Sequence, residues 1–312
     1  MTFEQLSIFV AVAEREHLTK AAAAIGLTPS AVSASIKALE AYYNVRLFER
    51  VGRGIELTPA GRVFLDEARA TLARARSAAL VLSELGGLKR GTIDVYASQT
   101  IANYWLPQRL VAFHAKYPAI EIRLTLGNTS TVTAAVVEGL AELGFIEGAI
   151  DVPTISAERV ASDELVVTVA KDHPLAGRDV PVEVLLRETP WVMREPGSGT
   201  RSQFESALAG LAFDPAQLDV ALTLPSNEAV LSAVRAGHCA AALSRSVVAP
   251  FISSGEFVVL NLPLPPRAFM VLRHRERHPS AAARELIELC MGREASQDES
   301  TQASGAKRRM GK

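Results

Sequence analysis

The sequence predicts a multidomain chain in which a small all-α N-terminal domain is joined by one long linker helix to an α/β domain with two lobes. Residues 1–57 contain short segments whose apolar residues recur at helical spacing. From Thr92 onward, short runs rich in β-branched residues alternate with helical stretches, which is typical of an α/β fold. With 312 residues, of which 48% are hydrophobic, the chain is long enough for two or three domains.

The N-terminal segment, residues 1–58, has the pattern of a helix-turn-helix. Apolar spacing predicts a first helix over residues 3–14. Thr19 can cap a second helix over residues 20–25, and Gly26 can end it. Short helices joined by a tight glycine-containing turn form the helix-turn-helix arrangement.

A third helix and a small wing complete this segment. Thr28 can cap the helix and Pro29 is preorganised for its first position, so the helix is expected to run from there to Tyr43. Two brief strands, at residues 47–50 and 55–57, flank a glycine-rich turn. The segment is therefore predicted to be a winged helix-turn-helix.

Residues 59–90 are predicted to form a long linker helix followed by a hinge. Thr58 can cap this helix, and glycines from Gly86 onward can end it. A narrow apolar seam runs along it at alternating spacings of four and three, through Ala68, Leu72, Ala75, Ala79 and Leu82. Such a seam predicts pairing with a second helix, although a helix packed on its own domain would give the same pattern.

The larger C-terminal part is predicted to contain nine strands. They are expected at Ile93–Ala97, Ile120–Leu126, Leu143–Ile146, Leu165–Ala170, Trp191–Arg194, Ala221–Leu224, Ala240–Leu243, Phe257–Leu260 and Ala268–Arg273. Helices are expected to begin near Ile101, Ser130, Thr200 and Glu228. This alternation favours largely parallel sheets in two lobes with a cleft between them. Lobe I is expected over residues 91–163 and 267–293, lobe II over 164–266, and a polar disordered tail over 294–312.

These segments together resemble a known family. The run from Phe3 through "LTKAAAAIGLTPSAVSASIKALE" to "RLFERVGRGIELTPAG" resembles the helix-turn-helix and wing of LysR-type transcriptional regulators, in order and in spacing. Further on, "ASQTIANYWLP", "LGNTSTV", "LGFIEG" and "WVMREPGSGTR" resemble effector domains of the branch that includes regulators of carbon dioxide fixation and sulfite reductase genes. The resemblance implies a sequence-specific DNA-binding regulator, usually a homotetramer of helix-paired dimers, whose effector domain over residues 91–293 has a periplasmic-binding-protein-like fold.

The third helix and the wing carry the predicted DNA contacts. With its apolar residues turned inward, the helix can place its N-terminal turn in the major groove. The predicted DNA-binding residues are Thr28, Pro29, Ser30, Ser33, Ser35, Lys37, Arg50 and Arg53. Many members of the family carry an Arg-Gln pair where Ala34 and Ser35 stand, so readout here is expected to depend more on short side chains and DNA shape.

The predicted effector site lies where strands end and helices begin. Small polar residues at these points can place backbone N–H groups and hydroxyls around one cleft, which suits a small anion. Any single such start could equally be a helix cap. The predicted effector-binding residues are Ser98, Gln99, Thr100, Asn128, Thr129, Glu147, Glu195, Ser198, Gly199, Thr200 and Asn227.

Two carboxylates complicate a simple anion site. Glu147 and Glu195 would repel an anion unless they pair with Arg194 or Arg201. Alternatively, one of them could bind the amino group of a zwitterion. The effector is therefore expected to be an inorganic oxyanion, an organic phosphate or an amino-acid-like molecule, with a small anion favoured.

Composition and scattered residues argue against other functions. The net charge is −1, and residues 1–87 hold ten Lys or Arg against nine Asp or Glu, so the position of the basic residues must provide DNA affinity. The six histidines form no catalytic or metal-binding constellation, and Cys239 and Cys290 lie in apolar surroundings typical of structural thiols. An enzyme and a solute-binding transport protein are the weaker alternatives, and no cofactor or metal is expected.

The expected partners follow from the regulator interpretation. They are double-stranded DNA, a second copy of the chain paired through the linker helix, further copies in a tetramer, and RNA polymerase. No secretory signal or membrane span is recognisable in the sequence, so the cytoplasm is the expected location.

Overall fold

The structure of the protein is a computed structural model that describes residues 1–51, 54–85 and 91–292. These residues form two compact units, with residues 1–85 in the first and nearly all of 91–292 in the second. Arg53 of the wing, most of the predicted hinge and the predicted tail lie outside the described residues. Among the described helices, none alone has the length and apolarity to cross a membrane, although one bent pair, Leu18–Ala24 with Pro29–Tyr43, passes on length and composition.

The N-terminal unit is a winged helix-turn-helix followed by a long helix, as the sequence predicts. Its elements are α1 (Phe3–Ala13), α2 (Leu18–Ala24), α3 (Pro29–Tyr43), β1 (Phe48–Val51), β2 (Gly54–Leu57) and α4 (Pro59–Leu85). Phe9 of α1 lies at the centre of the core, with ring centroids 5.4 Å from Phe48 and 4.8 Å from Phe64. One aromatic ring therefore holds the helices, the wing and the long helix in a single core.

The second helix begins earlier than the sequence predicts. It starts at Leu18, and its cap is His17, whose Nδ1 accepts the Lys20 N–H at 3.4 Å. The expected cap, Thr19, lies inside the first turn. Leu18 packs against the core of the unit, which favours extending the helix to include it.

The apolar seam of α4 divides into two parts. Ala68 and Leu72 are buried in the core of their own unit, with exposed fractions of 1% and 9%. Ala79 and Leu82 are exposed. The first half of the seam therefore follows the alternative of a helix packed on its own domain, because these residues belong to the same core as α1.

The C-terminal unit alternates strands and helices. Its strands are β3 (Gly91–Ser98), β4 (Ile120–Gly127), β5 (Leu143–Glu147), β6 (Ile155–Asp163), β7 (Leu165–Ala170), β8 (Trp191–Arg194), β9 (Val220–Leu224), β10 (Ala241–Ser244), β11 (Phe257–Leu260) and β12 (Arg267–His274). Its helices are α5 (Leu106–Lys116), α6 (Thr129–Glu138), α7 (Val182–Glu188), α8 (Gly199–Gly210), α9 (Asn227–Arg235), α10 (Arg245–Ser253) and α11 (Ala281–Gly292). A π-helical turn, Ile101–Trp105, precedes α5, and a 3₁₀ turn, Pro215–Gln217, precedes β9.

The sheets are mixed, which corrects the expectation of largely parallel sheets. The first sheet has the order β4-β3-β5-β12-β6, in which β3 pairs in parallel with β4 and β5 while β12 pairs antiparallel with β5 and β6. In the other lobe, β7 lies antiparallel between β10 and β11, and β8 pairs in parallel with β9. Strand β6 was not predicted, because its buried and exposed residues do not alternate.

The direction of the parallel strands determines where the predicted effector-binding residues lie. Because β3, β4 and β5 run in the same direction, their carboxyl ends lie at one edge of the first sheet. The carboxyl ends of β8 and β9 likewise share an edge in the second lobe. Residues that follow these strands meet between the lobes, since Gln99 bonds to Asn227 and Asn128 bonds to Glu195.

Candidate functional site

The N-terminal turn of α3 presents a polar surface. Thr28 caps the helix, because its Oγ1 accepts the Ala31 N–H at 3.2 Å, and it also shares a hydrogen bond with Ser30 Oγ at 3.0 Å. Thr28, Pro29, Ser30 and Lys37 are exposed, whereas Ser33 and Ser35 are half-buried. The opposite face of α3 carries the buried Val32, Ile36 and Leu39. The helix therefore has the amphipathic arrangement that a DNA-reading helix requires.

A groove of about 450 Å³ separates α3 from the wing. Its lining includes the basic side chains Lys37, Arg46 and Arg50, of which Arg46 was not singled out from the sequence. Glu40 Oε1 fixes the approach to the wing by accepting the N–H groups of Leu47 at 2.7 Å and Phe48 at 3.1 Å. Arg46 could have been found from its position beside the first wing strand. Glu40 and Glu49 also line the groove, so its lining carries three basic and two acidic side chains beside α3.

In the C-terminal unit, several predicted effector residues bond to one another across the cleft. Gln99 Nε2 donates to the Pro225 carbonyl at 3.0 Å, and Gln99 Oε1 accepts the Asn227 N–H at 3.0 Å. Asn227 Nδ2 donates to Thr100 Oγ1 at 3.2 Å. These three bonds, here named the Gln99–Asn227 clasp, join the end of β3 to the start of α9.

A second group of bonds joins the start of α6 to the loop after β8. Asn128 Nδ2 donates to Glu195 Oε1 at 3.1 Å, and the Ser130 N–H donates to the Gly197 carbonyl at 3.1 Å. Asn128 Oδ1 also accepts the Thr131 N–H at 3.0 Å. Protein groups therefore accept from N–H groups at the starts of α6 and α9, as helix caps do.

Of the two predicted cleft carboxylates, Glu147 and Glu195, a salt bridge neutralises Glu195. Glu195 pairs with Arg194, whose Nε lies 2.8 Å from Oε2 and whose Nη2 lies 3.0 Å from Oε1. Arg194 Nη1 also donates to Asn227 Oδ1 at 2.5 Å. Arg201 pairs at 2.7 Å with Glu205, which is not one of the predicted effector-binding residues. The Glu195 charge is thus neutralised by a neighbouring residue.

A buried network at the strands that connect the lobes was missed from the sequence. Arg267 at the start of β12 lies 2.6 Å from the Asp163 carboxylate at the end of β6. Its Nη1 donates to Thr200 Oγ1 at 3.1 Å, and Ser244 Oγ donates to Asp163 at 2.7 Å. The Thr200 hydroxyl therefore accepts a hydrogen bond from the strands that connect the lobes.

Polar groups without a protein partner remain in the cleft. In the described part of the chain, the buried Ser98 Oγ and Thr129 Oγ1 have no hydrogen-bond partner. Ser198 precedes α8 without capping it through its side chain. Gly199, the first residue of α8, lies so close to the first lobe that an added Cβ would be 2.5 Å from Thr129 Oγ1 and 3.0 Å from Glu147 Oε2. These groups therefore have hydrogen-bonding capacity that the described protein groups do not use.

The residues considered for catalysis have structural environments. Burial raises the pKa of the Cys290 thiol to about 12, and burial also raises the pKa of the half-buried Cys239. Burial lowers the pKa of His173, which accepts the Leu175 N–H. Within the described ranges, no group of three or more His, Cys, Asp or Glu could hold a metal ion.

Comparison with known proteins identifies both units. Residues 3–62 match the model of the bacterial regulatory helix-turn-helix protein, lysR family, and residues 86–295 match the LysR substrate binding domain. The chain is 35% identical to the uncharacterized HTH-type transcriptional regulator YeiE of Escherichia coli K12 over 292 residues, which is 93% of this chain and 97% of YeiE. It is 34% identical to the HTH-type transcriptional regulator CbbR of Rhodospirillum rubrum over 272 residues, 86% of this chain and 89% of CbbR.

A solved structure shows the same fold. Full-length CbnR complexed with its target DNA superposes with a TM-score of 0.66 at 24% identity, covering 94% of this chain and 99% of CbnR. The relatives are named transcriptional regulators, which supports a regulator and not an enzyme. The resemblance and the fold class predicted from the sequence are thereby confirmed. The chain belongs to the LysR family of DNA-binding transcriptional regulators.

Proposed function

We propose that this regulator binds its operator through α3 and the wing, and that a small-molecule effector in the cleft of residues 91–293 controls transcription. The observation that carries the effector half is the set of buried polar groups without a protein partner, Ser98 Oγ and Thr129 Oγ1, at a cleft that two groups of inter-lobe hydrogen bonds hold together. A ligand that bonds to these groups would stabilise one arrangement of the lobes over another.

The DNA contacts are assigned by exposure and chemistry. Ser30 and Ser33 are short enough to reach base edges or phosphates from the N-terminal turn of α3. Lys37, Arg46 and Arg50 line the groove beside the wing and suit phosphate contacts. Arg53 is proposed for the same role from the sequence alone. Readout through short side chains and DNA shape is therefore expected.

Replacing Arg50 with Ala is expected to weaken operator binding and to reduce the slope of log K against log[salt] by about 1. The reason is that one phosphate contact fewer releases one counterion fewer. Fluorescence anisotropy with operator DNA at several salt concentrations measures both quantities. Lys171→Ala, at an exposed position in the C-terminal unit, is the matched control and should change neither. An unchanged slope for the Arg50 variant would remove the wing from the binding surface.

The effector is proposed to be a small acid. The N-terminus of α8 lies at the cleft without a side-chain cap, and helix N-termini favour negative charge. Its first residue, Gly199, lies beside the unpartnered Thr129 hydroxyl. These groups suit an oxyanion or a carboxylate.

The double variant Ser98→Ala with Thr129→Val is expected to abolish the effector response and leave basal operator binding unchanged. Both hydroxyls lack a protein partner, so their removal breaks no described hydrogen bond of the side chains. Thr200 is unsuitable for this test because it accepts from Arg267. The response is measured as reporter expression across growth media, with Thr125→Val at an exposed strand position as the control. A full response in the double variant would place the effector elsewhere.

We further propose assembly through α4. Ala79 and Leu82 form the exposed part of the seam, and the Leu82 side chain is 70% exposed. Pairing with a second α4 would bury them, in a dimer and then a tetramer. The other proposed partners are double-stranded DNA and RNA polymerase. The proposed location of the protein is the cytoplasm. Sedimentation of Leu82→Glu should show a smaller assembly than the unchanged chain, and an identical assembly would exclude this half of the seam.

A further inference from the structure

Glu147 occupies an unusual position for a carboxylate. It is the last residue of β5 and only 3% of its surface is exposed. Over the ranges that the structure describes, its side chain forms no salt bridge and accepts no hydrogen bond. Buried carboxylates are normally paired or hydrogen-bonded, because burial removes the water that stabilises them. Glu147 is therefore short of a donor.

The arginines near the cleft cannot provide that donor as they are arranged. Arg194 is paired with Glu195 at 2.8 Å, and Arg201 is paired with Glu205 at 2.7 Å. Arg267 is paired with Asp163 at 2.6 Å. Each of these three arginines is paired with one carboxylate, so none of them forms a salt bridge with Glu147.

The surroundings of Glu147 are those of a ligand site. Its Oε2 would lie 3.0 Å from a Cβ added to Gly199, at the uncapped N-terminus of α8, and the unpartnered Thr129 Oγ1 would lie 2.5 Å from the same point. The N-terminus of α8 and the Thr129 hydroxyl can donate to an acidic group, and the nearby Glu147 carboxylate can accept a hydrogen bond from the same ligand. An anion that carries no hydrogen would be repelled there by the carboxylate.

We propose that Glu147 is a specificity-determining residue that accepts a hydrogen bond from the effector, so that the effector is a small acid with its own donor. The donor is the proton of a partly protonated oxyanion or the ammonium of an amino acid. The acidic group lies at the N-terminus of α8 and the donor faces Glu147. The inference rests on the proposed effector site in the cleft and names the class of ligand that the site accepts.

Matched pairs of probes test this selectivity on the full chain. Hydrogen phosphate carries a proton at neutral pH whereas sulfate carries none, and glycine is acetate with an added ammonium group. The melting temperature of the unchanged chain should rise with hydrogen phosphate or with glycine. The apparent affinity should exceed that for the donor-free partner on the order of ten- to hundred-fold. The pair that shows the difference identifies the source of the donor.

The variant Glu147→Gln replaces the acceptor-only carboxylate with an amide of similar size that can donate. Its preference should reverse, with a sulfate- or acetate-induced shift that the unchanged chain lacks. Its melting temperature without ligand should not fall, because no described bond is lost. Glu158→Gln, at an exposed position on β6, is the control and should keep the original preference.

Two results would overturn the inference. One is equal stabilisation by the members of both pairs, with no change of preference in Glu147→Gln. The other is no shift with any probe in either protein. Operator binding is measured in parallel on the same samples: retained DNA binding with failed selectivity rejects only the role of Glu147, whereas lost DNA binding in the unchanged chain rejects the proposed function itself.

Discussion

Replacing Arg267 with Met is expected to destabilise the C-terminal unit by about 3–5 kcal/mol. The Arg267 and Asp163 side chains are 1% and 6% exposed, and the two residues lie on neighbouring strands, β12 and β6. Removing the guanidinium leaves Asp163 buried without its cation and removes the donor to Thr200 Oγ1. A buried charge without its partner is costly, because neither water nor a counter-charge stabilises it.

The matched control is the ion pair formed by the adjacent carboxylate. Glu164 pairs with Arg245 at 2.5 Å, but these side chains are 54% and 48% exposed. Arg245→Met is expected to change stability by no more than about 1 kcal/mol, since water screens an exposed pair. Urea denaturation followed by tryptophan fluorescence reports the C-terminal unit, because both tryptophans, Trp105 and Trp191, lie in it. Equal losses in the two variants would show that burial does not decide the strength of these pairs.

Asn227→Ala is expected to lower stability by about 2–6 kcal/mol and to weaken the effector response. Asn227 is fully buried and its side chain links Thr100 Oγ1 in one lobe to Arg194 Nη1 in the other. Its removal leaves a buried hydroxyl and a guanidinium N–H without these partners, at about 1–3 kcal/mol for each group. It also removes one of the three bonds of the Gln99–Asn227 clasp, the bond to Thr100, so a ligand in the cleft holds the lobes in one arrangement less firmly.

The control for this variant is a weaker bond between the same segments. Asn103 is exposed and donates to Glu228 at 3.4 Å. Asn103→Ala should leave stability within about 0.5 kcal/mol of the unchanged chain and keep the response, as for other surface substitutions. Reporter expression across growth media and urea denaturation provide the two measurements. A normal response in Asn227→Ala would show that the bonds of the Asn227 side chain do not couple the cleft to transcription.

Local signals in the sequence predicted most helices and most strands, although α7 and α10 were not predicted. Thr28 and Pro29 determine the start of α3, and both the cap and the first position are as expected. The strand at Leu165–Ala170 was predicted with its observed bounds from its run of β-branched residues. Such signals depend on neighbours within a few residues, which the sequence displays directly.

Partners distant in the chain were not predictable in the same way. The antiparallel placement of β12 between β5 and β6 depends on pairings more than a hundred residues apart. The partner of Gln99 in the cleft is Asn227, 128 residues away, and the partner of Asp163 is Arg267. Residue type and spacing therefore indicated which side chains line the cleft, but they could not show which of them satisfy one another.

The most direct test of the account is a chromatin-based map of the sites that the full-length chain occupies in its cell. We expect discrete sites upstream of genes, with a shared motif of approximate two-fold symmetry, because helix-turn-helix dimers bind paired half-sites. The same map for the double variant Ser30→Ala with Ser33→Ala should lose these sites. Uniform or absent enrichment for the unchanged chain, or an unaltered map for the variant, would contradict sequence-specific operator binding through α3.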